Sequence, residues 1–471
     1  MALSLRTWPS RLLTRPWLLA FVPINASTAG FGVVLPLLIL IPLHGSWADV
    51  ALAATLFNSA VILSSFAWGH LSDRYHQRRL FLVINYAGYA VLYLFLVHVG
   101  SLTDLYAIYA VIGALSPAGA SASNLLILEK FPESERANAF ASFQAMSMIG
   151  SVIGLLIGYF WTLANDTLLT LLYVLGALAL VSAAAIWYGI SEARRALTTS
   201  HVAHHPESFA SRLRAAAANH MIVPFFPRRP RFGDHPLRRF RAWARAELRH
   251  ELPLLLLATF LFNLSANLYN ISYTPYLYSA GLGASAIFLV NLGNNSAQMG
   301  VYPLSGGLAI RFGSDRLVHW ATYVRSVGYL ATAALPLLVL ARSGEFSANL
   351  IIYAILGGAI AVYTVASSLM LFRGLAGRDA GSILGVNSAL GGIAAVLGAA
   401  LSGVLSVYGS YRLVFLVAGG VLLVSLPLWT AASVAYARRH LARETPVIAE
   451  PAPVPAPSRS VEPGSAAANT P

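Results

Sequence analysis

Residues 69–80 read Gly69-His70-Leu71-Ser72-Asp73-Arg74-Tyr75-His76-Gln77-Arg78-Arg79-Leu80. This short charged stretch stands between two apolar runs, residues 49–70 and 79–99. A bilayer core about 30 Å thick is crossed by roughly 20 apolar residues in a helix rising 1.5 Å per residue. The two runs therefore read as membrane spans, and the stretch between them as a loop at the membrane surface. Worked outward, the pattern predicts spans near 17–40, 49–70, 79–99, 104–128, 138–162 and 167–190, then 253–278, 284–308, 317–340, 348–372, 380–407 and 411–437. Twelve such spans make an all-α polytopic membrane protein.

Composition supports this reading. Hydrophobic residues are 57% of the 471 and charged residues 10%, against about 45–50% and about 25% in soluble domains. With a mean hydropathy of +0.66, the chain cannot supply the charged shell that a water-soluble core of this size needs. The first apolar run is too long for the core of a leader peptide and has no convincing cleavage site, so it reads as the first span. Cysteine is absent, which excludes disulfides and thiolate metal sites. No cluster of His and carboxylate, and no nucleophile constellation, falls at one depth. An enzyme or a cofactor is therefore not expected.

The net charge of +13 raises nucleic-acid binding as a reading, but the charges follow topology instead. Arg and Lys bias short loops toward the cytoplasm. With the N-terminus inside, 28 of the 31 basic residues fall on the inner side, leaving Arg342 and Arg412 outside and Arg325 within a span. Both termini are thus expected in the cytoplasm, with the chain in a cell membrane. The sequence divides into a first half (1–190), a basic cytoplasmic linker (191–252), a second half (253–437) and a tail (438–471) rich in Pro, Ala and Ser and expected to be disordered. Within the linker, Leu237, Phe240, Ala244 and Leu248 stand beside Arg238, Arg241, Arg245 and Arg249, a pattern suited to a helix lying on an anionic inner leaflet. His201, His204 and His205 show no fourth ligand and read as a solvated loop.

The 69–80 stretch resembles the signature loop of the major facilitator superfamily, G-x-L-[SA]-D-R-x-x-x-R-[RK]. Gly69, Leu71, Asp73, Arg74 and the Arg78/Arg79 pair match, while His76 replaces the family's usual Gly. A generic basic loop would need the arginines but neither Gly69 nor Asp73. A degenerate copy, Gly306 to Arg316, follows 237 residues later with Arg311 in register and Ile310 in place of the acid. Arg136 and Gly150 recur as Arg378 and Gly392, offset by 242 residues. Two echoes at nearly one period predict an internal repeat, hence two parallel six-helix halves.

The resemblance implies an alternating-access carrier for a small organic solute, working as a single copy, with multidrug-like export ahead of uptake. A membrane receptor or assembly factor sharing the fold is the alternative. It also implies that the first, fourth, seventh and tenth spans line a central cavity. Asp73 would face the N-terminal end of the eleventh span near Arg378. Arg74 and Arg136 would join Glu129, Glu133 or Glu135 in a cytoplasmic latch that opens during the cycle. Gly69, Asp73, Arg74, Arg78, Glu129, Arg136, Arg311 and Arg378 are the gating candidates; the same charges also fit a static bridge that orders the loop.

Polar stripes mark the expected cavity. Asn263, Asn267, Asn270 and Thr274 share one face of the seventh span, and Asn291, Asn294, Asn295 and Gln298 one face of the eighth. Amides in hydrocarbon need partners, so both stripes should meet a wet cavity or another helix. Asn25, Gln144 and Tyr363 are further substrate-binding candidates, and Tyr269, Tyr273 and Tyr276 are expected to add aromatic surface near a helix break at Pro275. The glycines 150, 154 and 158 resemble the antiporter motif of drug exporters, although Leu155 takes its usual Pro position; close packing explains them equally well. Arg325 reads either as functional or as a snorkelling side chain. The aromatic, uncharged cavity favours a neutral or amphipathic cargo, and because none of the 18 acids lies near a midplane, facilitated transport or coupling to another solute is expected instead of proton coupling.

Overall fold

The computed structural model describes residues 16–75, 77–130, 133–165, 167–190, 251–338, 342–374 and 380–444; within these, the side chains of 16, 69–70, 72–74, 121, 124–125, 127–130, 133–142, 342, 372, 374, 380–385 and 439–444 are not described. Twelve helices fill the described residues: α1 Val22–Leu40, α2 Trp47–Tyr75, α3 Arg78–Val97, α4 Leu102–Lys130, α5 Glu133–Ala164, α6 Leu168–Gly189, α7 Glu251–Ser279, α8 Ala284–Phe312, α9 Ser314–Ala334, α10 Arg342–Gly374, α11 Ala380–Tyr408 and α12 Tyr411–Glu444. The end carrying the 41–46, 98–101, 280–283 and 409–410 connections is called outer, following the expected orientation, and the opposite end inner.

Local chemistry sets several starts. Asp49 accepts hydrogen bonds from the Ser46 amide at 2.6 Å and hydroxyl at 2.7 Å, and at the start of α4 the Ser101 hydroxyl donates to Asp104 at 2.7 Å while accepting from the Asp104 amide at 3.1 Å. Both satisfy amides that a helix start leaves open. The predicted ninth span overran by six residues, because Pro336 ends α9 and begins the 3-10 turn Leu335–Leu337. The break expected at Pro275 does not occur: α7 continues through it to Ser279. Among the described residues, ten helices are long and apolar enough to cross a membrane. The others, α8 and α9, are 29 and 21 residues long but diluted by the α8 amides and by Asp315, Arg316, His319 and Arg325.

The repeat is visible in the packing. In the first half α1 packs on α5 and α6, α2 on α4, and α3 on α4 and α6; in the second, α7 packs on α11 and α12, α8 on α10, and α9 on α10 and α12. Glycines hold both copies in register. Gly113 of α4 seats on the Phe57 backbone as Gly357 of α10 seats on the Asn294 backbone, and Gly154 lies over Ala26 as Gly398 lies over Asn267. Each pair of glycines is 244 residues apart. The halves meet through α2 on α11 and α5 on α8, contacts that the same repeat interchanges.

Serines join the helices elsewhere. A hydroxyl from α6 enters the junction between the 3-10 turn Pro16–Phe21 and α1: the Ile24 amide donates to Ser182 Oγ at 3.0 Å, and Ser182 donates to the Ala20 carbonyl. In a continuous helix those two backbone groups would bond each other. Ser182→Ala leaves both unmet in a fully buried site. A loss of ~1–3 kcal/mol is expected, read as a lower Tm in detergent, with Ser182→Thr retaining most of it.

Candidate functional site

Along one face of α7, Asn263 and Asn267 are half-buried, Asn270 is exposed, and Thr274 is buried at the outer end. Asn263 and Asn267 donate to the carbonyls of Thr259 at 3.0 Å and Asn263 at 2.8 Å, one turn back. Such bonds tie one N–H of each amide to its own helix. Asn291 and Asn295 do likewise on α8, and Asn25 on α1 bonds the Phe21 carbonyl at 2.7 Å. Asn294 differs. It is buried, donates to the Tyr353 carbonyl of α10 at 2.8 Å, and accepts from Gln298 at 2.6 Å, so this pair joins α8 to α10. Gln144 is exposed on α5.

The tyrosines of α7 do not line the amide face. Tyr269, Tyr273 and Tyr276 are 0%, 1% and 3% exposed in an aromatic core with Tyr329, Tyr353 and Phe415. At 100° per residue they point roughly 90–150° away from the amides. Tyr363 is also interior, stacked on Phe262 with centroids 3.3 Å apart.

Behind that stack lies Arg325, 4% exposed. It does not snorkel to the surface. Its Nη2 donates to the Tyr329 hydroxyl, and its guanidinium lies 5.1 Å from the Phe262 ring centre and 5.3 Å from that of Tyr329.

The two halves are locked at the outer end. Trp47 of α2 stacks on Tyr411 of α12 at 3.2 Å and 28°, Ala51 approaches Gly403, and Gly158 lies against the Phe288 ring. Tyr106 steadies the first turn of α2 through a 2.7 Å hydrogen bond to Asp49. Of the inner-end candidates, the side chains of Gly69, Asp73, Arg74, Glu129 and Arg136, and the whole of Arg378, lie outside the described residues, as does the linker up to residue 250. Arg78 is buried. Arg79 stacks over Trp187 of its own half, and Arg311 lies over the neighbouring Phe312 ring. The sequence reading missed the 3.0 Å Arg373–Asp315 pair, extended by a 2.8 Å bond from Ser433 to Asp315. It ties α9, α10 and α12 together at the inner end, but it is one-third exposed and is worth at most about 1 kcal/mol.

Two six-helix halves related by an internal repeat, meeting at an outer closure beneath which Asn270 is exposed, define a polytopic helical membrane protein built as a carrier is. The Major Facilitator Superfamily profile matches residues 17–373, and the chain belongs to that family. Among curated proteins, no sequence matches it. Its fold is similar to the nucleoside transporter NupG, at 13% identity and TM-score 0.62, covering 90% of this chain and 99% of that one. It is also similar to an inward-facing, unoccupied bacterial homologue of the human lysosomal transporter Spinster, at 14% identity and TM-score 0.60, covering 92% and 99%. The human organic anion transporter MFSD10 (TETRAN) matches at 17% identity and TM-score 0.58, covering 88% and 99%. At such identities the likeness concerns the fold alone.

Proposed function

We propose that the protein is a secondary transporter that moves a small organic solute, outward in the manner of multidrug carriers, by rocking its halves about a central site. The observation that carries this reading is the α7 amide face, exposed at Asn270 and shut off at Thr274 below the Trp47–Tyr411 lock. A carrier open toward its inner side would look so. Asn263, Asn267 and Asn270, with Asn291 and Asn25, supply the cargo contacts, and the Asp73–Arg74–Arg136 network with Glu129 and Arg378 closes the opposite mouth. The distribution of basic residues supports both termini and the linker on the cytoplasmic side of a cell membrane, with the linker's arginines against the anionic leaflet. The protein works as a monomer.

Coupling follows from the acids. A proton-driven carrier needs a group whose protonation differs between its two states, and no carboxylate of this chain lies near mid-span. Proteoliposomes are expected to take up organic solutes down their own gradients, with no accumulation from an imposed pH gradient alone. Accumulation above equilibrium on the pH gradient would refute the coupling. No flux for any solute that shifts the protein's Tm would favour a receptor.

A further inference from the structure

Arg325 is a cation with no countercharge at its depth. It lies eleven residues in from Ser314, Phe262 eleven from Glu251, and Tyr363 eleven from Gly374. At 1.5 Å per residue each is about 16 Å from an inner helix end, near the middle of a bilayer. Every acid in the sequence falls near a span end or in a loop, and the Arg373–Asp315 ion pair lies at the inner end, not at this depth. The guanidinium meets the ring faces of Phe262 and Tyr329, and unmet donors stand on its own helix and next to Tyr363. Arg325 Nε, Thr322 Oγ1 one turn before it, and Trp429 Nε1 are buried without hydrogen-bond partners among the described residues. Trp429 meets Tyr363 edge-on at 5.9 Å, and all three side chains are at most 4% exposed. Their unmet groups are N–H and O–H donors, whose natural partner is an acceptor rich in charge.

We propose that this box is an occluded anion subsite that takes the carboxylate end of an organic cargo. The inference rests on the transport reading and replaces the neutral or amphipathic cargo expected from the sequence with an anionic one. Phe262 is the residue before Asn263 on α7, and its ring meets Arg325 as well as stacking on Tyr363. A cargo held by the amides reaches the guanidinium when that stack parts. The carboxylate then meets Arg325 across two N–H groups, and its apolar part lies against the two parted rings. A purely structural arginine would instead be expected to hold a carboxylate of the chain, which is how buried cations are ordinarily satisfied.

The test uses purified full-length protein in detergent with aromatic and aliphatic carboxylates, each paired with its uncharged amide at equal ionic strength. At least one carboxylate is expected to raise Tm in a saturable way while its amide does not. In Arg325→Met the apparent Kd should weaken at least about tenfold, and Arg325→Lys should bind with intermediate affinity. Arg325→Met without ligand should unfold no lower than the parent, because it relieves an uncompensated charge. Amides acting as well as carboxylates, a shift that survives Arg325→Met, or no shift from any carboxylate would overturn the proposal. Proteoliposome flux separates the two readings. Solute flux unchanged by Arg325→Met leaves transport standing and removes the anion site, whereas an Arg325-dependent Tm shift without flux keeps the site and removes transport.

Discussion

Valine in place of Gly158 is expected to abolish transport and to hold the halves apart at their outer end. Here α5 comes so close to α8 that a Cβ on Gly158 would overlap the Phe288 ring, which is fully buried. Overpacking of this kind costs about 1–3 kcal/mol, a shift of roughly 5- to 150-fold in a two-state equilibrium. That cost falls only on the state in which the contact exists, so the protein should still fold. Gly154 makes the contrast: it packs on the Ala26 backbone of α1 within one half, and Gly154→Val should harm both states and lower Tm. Gly32, with nothing within 4 Å, is the neutral control. The cysteine-free sequence lets a single Ala51→Cys report the outer end, since Ala51 is 2% exposed beneath Gly403. An impermeant maleimide should label it faster in Gly158→Val; unchanged labelling beside lost transport would refute the argument.

Trp47→Ala should produce the same outward shift through a different contact. The Trp47 ring stacks on Tyr411 across the halves, and Tyr411 in turn leans on Tyr276 at 5.8 Å. Losing the stack forfeits ~2 kcal/mol of aromatic contact and buried area, enough for about 30-fold more of the outward-open form. The start of α2 should survive, because Asp49 is fixed independently by Ser46 and Tyr106. Faster Ala51→Cys labelling with an unchanged Tm is the expected result, and Trp47→Phe should restore most of the closure. Slower or equal labelling would mean that α5 and α8 alone hold the outer end.

The spans, the two halves and the family loop were legible in the sequence because each depends on local properties: run length, charge placement and a motif spacing. Legibility failed where a neighbour decides. Asn291 and Asn294 share one polar stripe, yet Asn294 is spent on the Tyr353 carbonyl, a partner 59 residues away. Tyr269 and Tyr273 counted as cavity surface because a tyrosine serves a wet face or a packed core alike; the rings of α9, α10 and α12 settled the matter. Arg325 could snorkel or embed by its sequence, and the aromatic box around it embeds it. The glycines divided by position, with Gly150 and Gly154 packing within the first half and Gly158 across the interface.

The matched glycines of the repeat also reveal where symmetry stops. Gly154 covers Ala26 in the same way that Gly398 covers Asn267, so the first half places a methyl where the second places an amide. The guanidinium and its rings also belong to the second half. On the proposed cycle, the passenger therefore rides chiefly in one cupped hand, and the first half, touching it at Asn25, serves as the door that swings past it. Changes on the door, such as Gly158→Val, should alter how often the passenger crosses, while most of the grip stays with α7, α8, α9 and α10.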